Sequence, residues 1–323
     1  MKLSGNTVLI TGGATASMTV GVAWTRTINS CEELIFVTDS RLSGDGRNFN
    51  ACPKVLTLPR SDCAIAFAGY TGHAYPMMQQ LALAIDAHAP LKRRSLDLTS
   101  LKSHALKIFD SMRQQISVSP HLNGLMSTDP DAEFILGGFD WIKKDFEVWT
   151  IRYQPALTRF EAHPSQTLIH LVEHDRVVLS RSRRPQRGTL LGRIAFAGDQ
   201  GLLARRNLLS KLNAAGRKTT SKLDWEPFEV VRDMLRDPAH SETIGGAPQI
   251  VKVYQYMVST PLAVFWPTKK TGTIHLQGRE CLGYERIEHF VLDPDTLHSK
   301  APVYPRTVRE QTTEPESEAK PEM

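Results

Sequence analysis

Thr19-Val-Gly-Val-Ala-Trp24 alternates along its length, and Glu33-Leu-Ile-Phe-Val-Thr-Asp39 is a β-branched run that ends on an acid. Val55-Leu-Thr-Leu58 and Cys63-Ala-Ile-Ala-Phe-Ala68 flank the turn Pro59–Asp62. Period-two alternation and short β-branched runs bounded by turn residues predict strands. Four of them within about fifty residues leave no room for crossover helices, so the segment reads as an antiparallel meander rather than a βαβ unit.

Two helices are predicted next. His73–His88 is apolar all round (Met77, Met78, Leu81, Leu83, Ile85) and reads as buried. Leu98–Ile116 carries Leu98, Leu101, Ala105, Ile108, Met112 and Ile116 at helical spacing, with Asp97 or Thr99 to cap it. Strands return at Glu133–Phe139, Phe146–Ile151, Leu157–Glu161, Thr167–Val172, Arg176–Leu179 and Ile194–Ala197. Leu202–Leu212 and Pro227–Leu235 read as helices, the second with proline in its first turn. Gln249–Met257 and Leu262–Trp266 close the pattern as a strand pair. Strands, helices, strands, helices, strands in that order predict one layered α+β domain over 19–302, sheets inside and helices outside. Residues 303–323 are polar and rich in Glu and Pro and read as a disordered tail.

Composition narrows the class. The 323 residues are 41% hydrophobic and 23% charged, ordinary for a globule. Lys and Arg number 39 against 34 Asp and Glu, a net charge of +5 spread along the chain. The longest apolar runs, Ala64–Ala68 and Leu81–Ile85, fall far short of the ~20 residues of a membrane span. Cys31, Cys52, Cys63 and Cys281 form no CxxC pair and no zinc-binding spacing. Scattered cysteines and the absence of a secretory h-region point to the cytoplasm. Residues 1–17 resemble the first strand and glycine turn of short-chain dehydrogenases, but the likeness stops at Gly12-Gly13 and no Tyr-x-x-x-Lys pair follows. Residues 1–18 therefore read as a leader, tag or propeptide.

From Thr19 onward a second likeness builds. Thr19 follows a methionine whose removal would expose its amine. Asp39 and Arg41 stand in Thr38-Asp-Ser-Arg41, Lys54 opens a strand, and Ala68-Gly-Tyr-Thr-Gly72 turns into a helix. Phe134-Ile-Leu-Gly-Gly-Phe-Asp140, Phe196-Ala-Gly-Asp199 before a helix, and Gly245-Gly246 before a strand continue the series. In order and spacing, residues 19–266 resemble the proteasome β-subunit family of N-terminal-nucleophile hydrolases.

That resemblance implies a four-layer αββα sandwich, two antiparallel sheets between helix pairs. It implies a threonine-type peptidase with no cofactor or metal. Thr19 would be the nucleophile, with its own α-amine as base; a free α-amine titrates near ~7.7–8.0, close to working pH. Lys54 would depress that value, Asp39 would hold Lys54 charged, and the Gly69 N–H would meet the oxyanion. Arg41 would brace the strand end. Gly198-Asp199 takes the place of a supporting serine, and Asp199 also reads as a helix N-cap. The family's Asp-x-x-Ser-Gly-Gly is here Ser241-Glu-Thr-Ile-Gly-Gly246: Ser241 stands for the Asp and Ile244 for the Ser, with Glu242 or Thr243 to substitute from an adjacent position. The resemblance further implies a peptide or protein substrate, a homo-oligomer built as a ring or helical stack, and an ATPase unfoldase as partner. The departures and the attached leader motivate an alternative, a non-catalytic scaffold or binding subunit.

Two other patterns compete. His170-Leu-Val-Glu-His174 matches an inverted zinc-peptidase motif, which needs both imidazoles on one helical face. The surrounding run alternates as a strand, which would set the two histidines ~13 Å apart, too far for one zinc. Arg181–Arg193 carries five arginines but no interleaved aromatics to stack on bases, so it reads as a solvated loop rather than a nucleic-acid surface.

Overall fold

The computed structural model describes residues 19–44, 47–118, 127–182, 188–214, 222–302 and 304. Residues 1–18, read as a leader, lie outside them, as do Arg183, Arg184 and Arg187 and all of 303–323 except Tyr304. The chain opens with β1 (Gly21–Ile28), β2 (Cys31–Thr38), the short hairpin β3 (Leu42–Gly44) and β4 (Arg47–Phe49), then β5 (Val55–Thr57) and β6 (Cys63–Gly69). Helices α1 (Thr71–Ala87), α2 (Ala89–Lys92) and α3 (Leu98–Arg113) follow. Strands β7 (Ala132–Asp140), β8 (Asp145–Gln154), β9 (Arg159–Pro164), β10 (Gln166–Leu171), β11 (Arg176–Ser180) and β12 (Thr189–Ala197) lead to α4 (Gly201–Ala214) and α5 (Glu226–Arg236). The chain ends with β13 (Gln249–Tyr254), β14 (Val258–Trp266), β15 (Thr273–Leu276), β16 (Arg279–Glu280), β17 (Val291–Leu292) and β18 (Ser299–Lys300).

Eleven strands form one sheet, ordered β11-β10-β12-β1-β2-β13-β14-β15-β16, with β17 and β18 branching from β14. Five more form a second sheet, β5-β6-β7-β8-β9. The strands between the sheets are buried on both faces, which is why their sequences run apolar without polar breaks. In β6, Cys63, Ile65 and Phe67 pack toward α1 and α3, while Ala64, Ala66 and Ala68 pack between the sheets. In β2 the same alternation sends Ile35 and Val37 to the side of α4 and α5 and Leu34 and Phe36 to the middle. Asp97 caps α3 by accepting the Ser100 N–H at 2.8 Å.

The four-layer αββα sandwich with two matched helix pairs is not the architecture, and that expectation is corrected. The chain is mainly β, 39% strand against 27% helix, with large antiparallel sheets and five helices. The second helix is a single four-residue turn. The sequence pattern weighed helices and strands alike because it saw nothing in residues 267–300. Those residues form four strands of two to four residues, too short to show a period. β3 and β4, three residues each, escaped for the same reason.

Candidate active site at the rim of the large sheet

Register builds this site. β1 is antiparallel to both β2 and β12, with Gly21 opposite Thr38 and Ala197. Gln249, the first residue of β13, also sits opposite Thr38. Four strand ends thus share one row, and the residues just beyond them meet on one rim: Thr19 before β1, Asp39 after β2, and Gly198 and Asp199 after β12. Lys54 reaches the same rim from the second sheet. It stands just before β5, where its carbonyl accepts the Phe67 N–H at 3.0 Å.

Thr19, Asp39 and Lys54 are all fully buried. The Lys54 ammonium donates to Thr19 Oγ1 at 3.0 Å and to the two Asp39 oxygens at 3.0 and 3.1 Å. Those three acceptors match its three donors. Asp39 also accepts the Val20 N–H at 3.3 Å and the Arg41 N–H at 3.1 Å. Burial pushes the Asp39 carboxyl up, against the downward pull of Lys54 and of these hydrogen bonds. A lysine charge held against a hydroxyl lowers the cost of forming negative charge on that oxygen.

The Thr19 N–H donates to Asp199 Oδ1 at 2.7 Å, and Gln200 Nε2 holds the other Asp199 oxygen at 3.0 Å. The Asp199 carboxylate is thus turned to Thr19. Gly198 has φ +86°, and a Cβ there would collide with the Thr19 carbonyl oxygen, so only glycine fits between the end of β12 and Thr19. Its N–H donates to Glu133 Oε2 at 2.9 Å. Gly69 ends β6 at φ +100°, where a Cβ would lie 2.6 Å from the Asp131 carbonyl oxygen. Its neighbour Ala68 packs 3.3 Å from the Cβ position of Gly198, so this turn faces the same rim.

Not every residue singled out in the sequence joins this group. The Arg41 guanidinium ties Asn50 Oδ1 at 2.7 Å and the Ser241 carbonyl. Ser241 thus connects to the rim through its backbone, and its hydroxyl is turned to the Pro238 carbonyl at 2.7 Å. Glu242 is exposed in the turn that follows. Among the described residues no hydrogen bond links Ser241 or Glu242 to Thr19.

Gln249 was missed. It is fully buried, and its Oε1 accepts the Lys54 N–H at 2.7 Å and the Val55 N–H at 3.3 Å, while its amide donates to the Cys52 carbonyl. This one side chain clamps the segment that carries Lys54 onto the large sheet. In sequence it is a lone glutamine at a strand start, with no motif to mark it.

His170 lies in β10 and its Nε2 meets Asp175 Oδ1 at 2.8 Å, while Glu173 and His174 fall in a short 3-10 turn. Among the described residues no group of three His, Cys, Asp or Glu is placed to hold a metal ion, and no helix is long and apolar enough to cross a membrane. No protein-family model and no curated protein matches the chain.

Proposed function

We propose that the chain is an N-terminal-threonine amidohydrolase that cleaves peptide bonds through an acyl-enzyme on Thr19. The observation that supports this reading is the Thr19 hydroxyl 3.0 Å from a buried lysine whose other hydrogen bonds go to a buried aspartate. Such a group stabilises negative charge as it develops on an ordinary hydroxyl.

In the full chain the Thr19 nitrogen is a peptide nitrogen and has no lone pair to act as a base. Release of residues 1–18, by self-cleavage or by a peptidase, supplies the amine. The amine then takes the Oγ1 proton as Oγ1 bonds to the substrate carbonyl carbon. Lys54 stabilises the forming negative charge at Oγ1, and Asp39 holds Lys54 aimed at it. The substrate oxygen becomes an oxyanion, for which the Gly69 N–H is the donor. The ammonium returns its proton to the leaving nitrogen as the C–N bond breaks. Water, deprotonated by the same amine, hydrolyses the ester and restores Thr19. Asp199 would orient the amine through the contact it already makes to the Thr19 nitrogen. Assembly into a homo-oligomer and service by an ATPase unfoldase rest on the family resemblance, a cytoplasmic location rests on the scattered free cysteines, and all three are part of the same proposal.

The test is the intact mass of the purified protein, followed by amide hydrolysis with Thr19→Ala as control. A mass beginning at Thr19, an adduct on Thr19 with an acylating inhibitor, and an inactive Thr19→Ala variant are the expected results. Full activity in that variant would overturn the assignment. One observation favours the non-catalytic alternative: with residues 1–18 attached, Thr19 is 0% exposed and its nitrogen is engaged by Asp199. A mass that retains Met18, with no hydrolysis, would turn the reading to a scaffold or binding subunit.

A further inference from the structure

A pocket of about 510 Å³ lies where β8, β9, β10 and β12 meet the first turn of α4, and the mechanism above leaves it unused. Its lining includes Arg152, His163, Arg181 and Arg205, and among the described residues no aspartate or glutamate lines it. Gly198 lines it too. That glycine is the residue packed against the Thr19 carbonyl, so pocket and nucleophile share a wall.

The charges in the pocket are not equivalent. Arg152 is bonded to Glu133, which in turn holds the Gly198 N–H. Arg181 and Arg205 have no carboxylate partner among the described residues. Ile194 and Phe196 add apolar surface to the same lining. Guanidinium groups without partners, beside apolar walls and with no competing acid, suit a carboxylate carried on a short aliphatic chain.

We propose that this pocket binds a carboxylate of the substrate, so that peptides carrying Glu or Asp near the scissile bond are preferred. The proposal rests on Thr19 being the nucleophile, and its test separates the two claims. The first arm uses glutarate alone and the full chain, by titration calorimetry, and needs no activity. Saturable binding, weakened at least tenfold in the Arg181→Ala/Arg205→Ala double variant, is expected. Absent binding, or equal binding by the variant, overturns the pocket. Among the described residues neither arginine has an ion pair, so circular dichroism of the variant should match the parent; a single Arg205→Gln serves if it does not.

The second arm uses the processed enzyme and peptides with blocked termini that differ only as Glu or Gln beside the cleaved bond. A roughly tenfold higher kcat/KM for the Glu peptide is expected, collapsing toward equality in the double variant. Equal rates for the two peptides overturn the preference. A Gln peptide with a free C-terminus separates the sources of the carboxylate: if it alone is favoured, the pocket reads a chain end rather than a side chain, and the preference as stated falls. Glutarate binding without any peptide cleavage or Thr19 adduct would sink the hydrolase reading and leave the pocket standing.

Discussion

Strand β2 carries a buried acid near each end, and each acid is paired with a buried lysine. At one end Asp39 meets Lys54, both fully buried. At the other, Glu33 meets Lys252 at 3.3 Å, with exposures of 4% and 6%. The pairs are alike in charge and burial and differ in their third partner. Lys54 finds a hydroxyl at the head of β1. Lys252 finds the Trp225 ring at 5.1 Å, and its acid is shared with Arg26 at 2.9 Å. A buried ion pair is thus not a site in itself. It becomes one where strand ends and a glycine turn leave a reactive group next to it, and it stays a strut where aromatic and ionic neighbours close it in.

Removing the hydroxyl breaks the comparison most completely. Thr19→Ala should lower kcat/KM for an amide substrate by about 10⁴-fold or more, and should cost about 1–3 kcal/mol in unfolding, because one donor of the buried Lys54 loses its acceptor. Next comes the lysine. Lys54→Ala should cost about 10²–10³-fold in kcat/KM. It should also cost about 3–5 kcal/mol in denaturant unfolding, because Asp39 is left buried without its cation. The matching change at the other end, Lys252→Met, should cost no more than about 1–2 kcal/mol, since Arg26 still holds Glu33, and should leave hydrolysis unchanged. Equal stability losses for Lys54→Ala and Lys252→Met would erase the distinction drawn between the two pairs.

Gln249→Leu sharpens the comparison from the side. It leaves the N–H groups of Lys54 and Val55 without their acceptor, at about 1–3 kcal/mol. If Gln249 positions Lys54, kcat should fall about tenfold with KM unchanged, and Gln249→Glu should restore part of the loss through its remaining acceptor. A purely structural role would lower stability and leave kcat alone.

The smallest expected effect is in pH dependence, and the two ends should slope in opposite directions. Burial raises the Asp39 carboxyl, so the folded state holds that proton more tightly than the unfolded chain. The stability this contributes is present below the unfolded carboxylate value and is lost as pH rises through the folded one. Burial lowers Lys252, so across the window just below the ordinary lysine value the unfolded chain holds more protons and stability rises with pH. Denaturant unfolding across pH, compared with Asp39→Asn and Lys252→Met, should remove the acid-side slope in the first and the alkaline-side slope in the second. Unchanged slopes would mean that neither group titrates as its surroundings dictate.

The sequence made the two-faced strands legible, because Cys63–Ala68 and Glu33–Asp39 are apolar runs too short for helices. It also placed Thr19, Asp39, Lys54 and Gly198-Asp199 at strand ends, since acids, lysines and glycines interrupt such runs. It did not show which ends would meet. That depends on pairing register across the sheet, a long-range property with no local signal. Gln249 and Lys252 were opaque for a related reason. Inside a strand, a polar residue looks like a solvent-facing position, and only the partner strand reveals that it is buried and bonded. Glu133 sat unremarked in a predicted strand although its carboxylate holds the Gly198 N–H. The layer count failed where local pattern carries least, in the two- to four-residue strands beyond Trp266.

The row formed by Gly21, Thr38, Ala197 and Gln249 works as a vernier. Sliding any one of these strands by a single residue moves its end group about 3.3 Å along the rim, longer than a hydrogen bond, and flips its side chains to the other face. A chain that had slipped by one position could keep most of its secondary structure and much of its compactness. Yet Thr19, Lys54 and Gln249 would no longer fall into line. Under the proposed function, reactivity at Thr19 is therefore a gauge of alignment across four strands and two sheets, sensitive to misassembly that circular dichroism would pass unnoticed.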